Sequence, residues 1–273
     1  MSEMRGLDLD GRRVLVDGEA IVYDYLVLAL GSEPSFFSVA GAEEHAFPLR
    51  WMSDAIRLWH HVLTRFEAAV CAPPTPRTRL LTFVVVGGGP TGVAYAGALS
   101  ELVFGPLLRD FPGISAEDVR IELLEASDSL LRGMPPECAR YASERLARRR
   151  VEARVGAVVE RVGPTTVWLR GGERVETETV VWTAGVRGDP RAVSWGLPVT
   201  RGGRVSAEAG SPPPRRSRRA RRLTLQMSGS EVPSPPPSNG EGPGPYTGCW
   251  LRLPKLALDS RKRSPKARSL AHG

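Results

Sequence analysis

The feature that most constrains this chain is a run of glycines set between a strand-like and a helix-like segment. Residues 80–86, Leu-Leu-Thr-Phe-Val-Val-Val, are apolar and β-rich. They lead at once into Gly87-Gly88-Gly89-Pro90-Thr91-Gly92, after which 93–104 read as a helix of small apolar residues. In the spacing Gly87-x-Gly89-x-x-Gly92, the first glycine permits a tight turn out of the strand and the second lets a pyrophosphate approach the backbone. The third lets the helix pack close to the sheet, with its N-terminal amides aimed at the phosphates. A tight turn with no ligand has the same spacing, so the context decides. The next strand, 119–125, ends in Glu125, an acid placed to accept hydrogen bonds from a ribose diol. The separation of Gly92 from Glu125 exceeds the usual ~20 residues, an excess assigned to an insertion over 106–116. An acid at Glu125 repels a 2′-phosphate, which favours NAD over NADP.

The remaining pattern places that turn in an α/β fold. Residues 13–16 and 19–23 flank Asp17-Gly18, a type I′ hairpin signal. Residues 25–30 are almost wholly apolar and read as a strand buried on both faces, ending at Gly31-Ser32. Ser53 is expected to cap a helix carrying Ile56, Trp59, Leu63 and Phe66 on one face. The Pro73-Pro74-Thr75-Pro76 run closes that unit as a linker over 71–79. Beyond Glu125, a helix near 137–150, a strand at 151–155, a meander over 158–176 and a last buried strand at 179–183 complete the body. Strands alternating with helices imply a Rossmann-like parallel sheet with an inserted antiparallel meander.

Charge divides the chain in two. Of the 37 Lys+Arg and 30 Asp+Glu, the stretch 211–273 takes 13 basic residues and three acids, leaving a slightly acidic body that contains no lysine. Residues 207–273, rich in Pro, Arg and Ser, are expected to be disordered. A body with 24 Arg and no Lys suggests a GC-rich gene, in which a frameshift near Ala207 produces such a tail. No stretch is read as reaching the ~20 apolar residues that span a bilayer, and the N-terminus lacks signal-peptide regions, so a cytoplasmic location is expected. Cys71, Cys138 and Cys249, like the four histidines, show no metal spacing, and no metal is expected. The Arg run is not expected to bind nucleic acid.

Read together, these segments resemble type II NADH dehydrogenases, NADH:quinone oxidoreductases of the two-dinucleotide flavoprotein superfamily. The matching segments are Tyr25 to Ser32, Gly41 to Leu49, Gly87 to Val93 and Trp182-Thr183-Ala184-Gly185-Val186, in the family's order. The resemblance implies FAD and NAD as cofactors, NADH as donor and a quinone as acceptor. It implies an NAD domain over 80–176 inserted in an FAD domain at 1–70 and 177–206, with Gly31, Ser32, Thr183, Ala184 and Gly185 near the flavin. It also implies departures. The family's first βαβ unit and its late Gly-Asp strand and membrane anchor have no counterpart, Gly188-Asp189 being followed at once by Pro190. Ala94 stands where the family has a Glu near the nicotinamide, so no catalytic residue is assigned. The family's peripheral membrane association extends the expected location to the cytoplasmic face of the membrane. Two alternatives stay open: a catalytically inactive NAD-binding fragment, and a polybasic interaction protein.

Overall fold

The structure is a computed structural model, and it describes residues 3–206. It opens with an antiparallel sheet of β1 (Met4–Asp8), β2 (Arg13–Val16) and β3 (Glu19–Val22). Val16 pairs with Glu19 across the expected two-residue turn, where Gly18 takes φ 91°. Strand β1 had no clear signal in the sequence.

Next come β4 (Ser32–Pro34), the short α1 (Ala42–His45), the two-residue β5 (Phe47–Pro48), α2 (Met52–Cys71) and α3 (Pro74–Leu80). Two crossover units follow: β6 (Thr82–Val86), α4 (Pro90–Leu102), a π-helical turn (Val103–Leu107), α5 (Leu108–Asp110), β7 (Arg120–Leu124), α6 (Pro136–Arg148) and β8 (Val151–Arg154). The meander is β9 (Val159–Val162), β10 (Thr166–Leu169) and β11 (Arg174–Glu176). Then β12 (Thr179–Trp182), β13 (Val186–Gly188) and α7 (Arg191–Ser194) end the described residues.

The centre is a five-stranded parallel sheet in the order β5-β12-β6-β7-β8. Its three central strands β12, β6 and β7 are buried on both faces apart from Arg120, as parallel strands must be when both faces are covered, while the edge strands β5 and β8 are partly exposed. Phe83, Val85, Ile121, Leu123 and Val181 point to one face, into a core with Leu58, Val62 and Phe66 of α2, Leu99 of α4 and Leu146 of α6. Val84, Val86, Leu124, Val180 and Trp182 point to the other, against Val159, Val162, Val167, Leu169 and Val175 of the meander. Helices thus cover one face and an antiparallel meander the other.

The structure differs from the sequence pattern at several elements. Residues 25–30 form no strand: Tyr25 and Val27 are exposed, and Leu26, Leu28 and Leu30 are only half-buried. A strand needs a ladder partner for its amides and carbonyls, and among the described residues none pairs with this segment. On α2 the buried stripe is Leu58, Val62, Phe66 and Ala69, whereas Ile56 and Trp59 are exposed. Two apolar stripes compete on that helix, and the position of the sheet selects one. Its first turn is held by Asp54, whose carboxylate accepts the Arg50 and Trp51 amides at 3.2 and 2.9 Å, rather than by Ser53.

The 71–79 linker contains most of α3, because Pro74 and Pro76 sit in a first turn where no amide is needed. The strand expected at 179–183 is present as β12 and is hydrogen-bonded beside β6. The apolar run at 93–104 is also longer than expected. Helix continues through the π turn over Pro90–Asp110, long and apolar enough by composition to cross a membrane. Gly92, Ala96, Leu99, Val103 and Leu107 are nevertheless buried in the fold, as in a core helix. The expected tail at 207–273 lies outside the described residues.

Candidate functional site

Strand β6 feeds β7 and β8 on one side and has β12 on the other, so the strand order reverses at its carboxyl end. In open α/β sheets that is where a crevice forms for ligands. The glycine turn occupies this point. Gly87 takes φ 111°, and a Cβ there would lie 2.5 Å from Ala184 Cα, so two strand ends meet with no room for a side chain. Its amide donates to Leu124 O at 2.8 Å. A Cβ on Gly92 would lie 1.8 Å from Gly87 O, which is the close helix-to-strand packing expected of the third glycine. Gly89 differs from both. Its backbone is extended, with φ −73° and ψ −179°, and a Cβ there meets nothing within 4 Å. The middle glycine leaves open space in front of α4, whose first-turn amides have no intrahelical acceptor. Pro90 and Thr91 are exposed at that helix start.

Glu125 follows β7 and folds back on the turn. One carboxylate oxygen accepts the Gly88 amide at 2.5 Å, and the other accepts the Ser127 amide at 2.8 Å and hydroxyl at 2.7 Å. Burial alone would raise the Glu125 pKa, but hydrogen bonds from Ser127, Gly88 and Ala126 hold it below the ordinary carboxylate value. Gly88 O accepts the Leu131 amide at 2.8 Å, so the loop 125–131 grips Gly88 from both sides. Ser127 was missed in the sequence. The available signal is a serine two residues after an acid, a spacing at which hydroxyls make local hydrogen bonds.

The structure also brings the second group of residues to the same edge. Thr183 donates its amide to Val86 O at 2.8 Å and its hydroxyl to Val86 O and Gly87 O at 2.9 and 3.1 Å. Ala184 is packed on Gly87, and Gly185 lies under the Phe37 ring, whose nearest atom would be 2.4 Å from an added Cβ. Gly31 and Ser32 join them through a ribbon in which Ser32 pairs with Gly188. Ala94 is on the exposed face of α4, and Asp189 is engaged by Arg191, including a bond of 2.6 Å. Among the described residues no cluster of His, Cys, Asp or Glu could hold a metal ion.

A family model described as pyridine nucleotide-disulphide oxidoreductase matches residues 3–211. The type II NADH:quinone oxidoreductase NdhA of Mycobacterium tuberculosis is 35% identical over 76% of this chain and 47% of its own length. The mitochondrial external alternative NAD(P)H-ubiquinone oxidoreductase B2 of Arabidopsis thaliana is 33% identical over 67% of this chain and 31% of its own length. The chain therefore spans less than half the length of these relatives. Among solved structures, NDH2 from Plasmodium falciparum in complex with NADH superposes with a TM-score of 0.63 at 17% identity, over 69% of this chain and 41% of that one. A match across the body, carrying the glycine turn at the sheet's switch point, shows that this chain belongs to the pyridine nucleotide-disulphide oxidoreductase family.

Proposed function

We propose that this chain binds NADH at the carboxyl edge of its parallel sheet, as the nucleotide-binding part of NADH:quinone oxidoreductase chemistry. One observation carries the reading: the open space at Gly89, in front of the α4 N-terminus and beside an ionised Glu125. In this reading the α4 amides and the bare Gly89 backbone receive the pyrophosphate, Gly87 and Gly92 hold strand and helix close, and Glu125 receives one hydroxyl of the ribose diol. Pro90 and Thr91 shape the rim. NADH supplies the hydride when bound.

FAD is the other cofactor of the family to which the chain belongs. In the described residues the Thr183 hydroxyl is engaged by two carbonyls and Gly185 is covered by Phe37, so a flavin at this edge displaces the Phe37 ring. A location at a membrane and a quinone acceptor rest on the relatives alone. The same two observations, with an exposed Ala94, favour a second reading in which the chain binds NADH without turning it over. The polybasic alternative concerns residues outside the described region.

The test is titration of NADH into the purified full chain, with Gly89→Val as control. Binding by the wild type and loss in the variant support the site. Adding FAD and a soluble quinone then separates the readings: the second expects no quinone reduction, and sustained turnover overturns it.

A further inference from the structure

We propose that Ser127 is a positioning residue that sets the choice between NADH and NADPH by fixing the Glu125 carboxylate. The inference rests on the NADH reading of the site and goes beyond it in naming what controls ribose recognition. A carboxylate offers about four acceptor sites. In this chain three are taken, by the Gly88 amide at 2.5 Å and by the Ser127 amide and hydroxyl at 2.8 and 2.7 Å, which leaves one for a ribose hydroxyl. Glutamate on its own is a flexible side chain that can swing away from an incoming phosphate. With one oxygen pinned by Ser127 and the other by Gly88, Glu125 cannot swing. The 2′-phosphate of NADPH then meets a fixed anion at close range.

The loop that supplies Ser127 is itself anchored. Ser127 O accepts the Gly156 amide at 2.7 Å, Glu125 O accepts the Ala157 amide at 2.9 Å, and the Leu131 amide closes on Gly88 O. Ser127 is therefore delivered by the segment after β8, and removing its hydroxyl changes one contact without releasing the loop. The hydroxyl has a second acceptor, Ser129 O at 2.9 Å, but a hydroxyl has one hydrogen and the carboxylate is the stronger partner.

The experiment measures the dissociation constants of NADH and NADPH for the full-length wild type, Ser127→Ala and Ser127→Thr. The alanine variant keeps the Ser127 and Gly88 amide bonds to the carboxylate and loses only the hydroxyl bond that fixes its orientation, so NADH is expected to weaken about threefold, with NADPH unchanged or tighter, so that the ratio narrows. Threonine keeps the hydroxyl and is expected to restore the wild-type ratio. An unchanged ratio in Ser127→Ala, or an equal loss for both nucleotides, overturns the proposal. A wild type that binds neither nucleotide overturns the reading of the site itself, a different failure. Carbon-13 NMR titration of the Glu125 carboxyl is a ligand-free check: its pKa must rise in Ser127→Ala, and an unmoved value overturns the positioning role.

Discussion

Gly89 and Gly92 of the motif are unlike in the fold, which gives each a separate prediction. Gly89→Ala is expected to leave stability within about 0.5 kcal/mol of wild type, as for other unconstrained surface positions, because its backbone is extended and its Cβ meets nothing. The same change is expected to abolish NADH binding. Gly92→Ala is expected to do the reverse damage. Its Cβ would lie 1.8 Å from Gly87 O, so strand and helix must separate, at a cost of about 2 kcal/mol or more. Urea unfolding with parallel NADH titration distinguishes the two. A Gly89→Ala protein that is destabilised yet binds normally contradicts the assignment of open space.

Also at residue scale, His61 sits beneath β12. Its Nε2 lies 3.1 Å from Glu178 O and 3.0 Å from Thr179 Oγ1, and its ring is 4.6 Å from that of Phe47. Burial, reinforced by the Arg65 charge, depresses its pKa below 6.5 despite the neighbouring Glu178. A depressed folded pKa means that the folded chain holds fewer protons than the unfolded one. The contribution of neutral His61 is therefore fully present above pH 6.5 and is lost as pH falls through the folded value. His61→Gln is thus expected to cost more stability at pH 7.5 than at pH 5.5. Urea midpoints at the two pH values check it, and a gap that widens on acidification refutes the assignment.

At the scale of elements, the order of strands and helices was legible because period and punctuation are local. The Asp17-Gly18 hairpin, strand β6 and the three meander strands all lie within a residue or two of their sequence positions, and α4 begins three residues before its expected start. Which element neighbours which was not legible. Residues 25–30 have the composition of a buried strand yet lack a ladder, and β12 sits beside β6 through contacts nearly a hundred residues apart. Glu178 shows how such a join is secured. It immediately precedes β12 and pairs with Arg65 of α2 and, at 2.8 Å, with Arg79 of α3, all three side chains being at most partly exposed. No pattern in the sequence links those positions. Glu178→Ala leaves two guanidinium groups half-buried and unpaired by it, and is expected to lower stability by about 2 kcal/mol, less than the cost of breaking a fully buried pair. A double-mutant cycle with Arg65→Ala measures the coupling, and additivity shows that the pair does not secure β12.

Across residues 3–206, stability is unevenly distributed. The parallel sheet is enclosed by two cores, and every residue of β6 and β12 is buried. The β1–β3 sheet buries only Val14 and Val16, and neither belongs to those two cores. Residues 25–30, which connect it to β4, have no ladder among the described residues. A small antiparallel sheet with little buried apolar area is marginal by itself, and segments with few buried contacts open at lower free energy than the global unfolding. Native-state hydrogen exchange is therefore expected to show two classes. Amides of β6, β7 and β12 exchange only through global unfolding, whereas those of 4–30 exchange at least about a hundredfold faster, a difference of roughly 3 kcal/mol in opening free energy. Added NADH is expected to slow exchange at 87–92 and 125–131 and to leave 4–30 unchanged, because the glycine turn and the Glu125 loop belong to the sheet's edge and the β1–β3 sheet does not. Equal protection of 4–30 and β6 would mean that this sheet shares the central core, and protection of 4–30 by NADH would move the ligand away from the glycine turn.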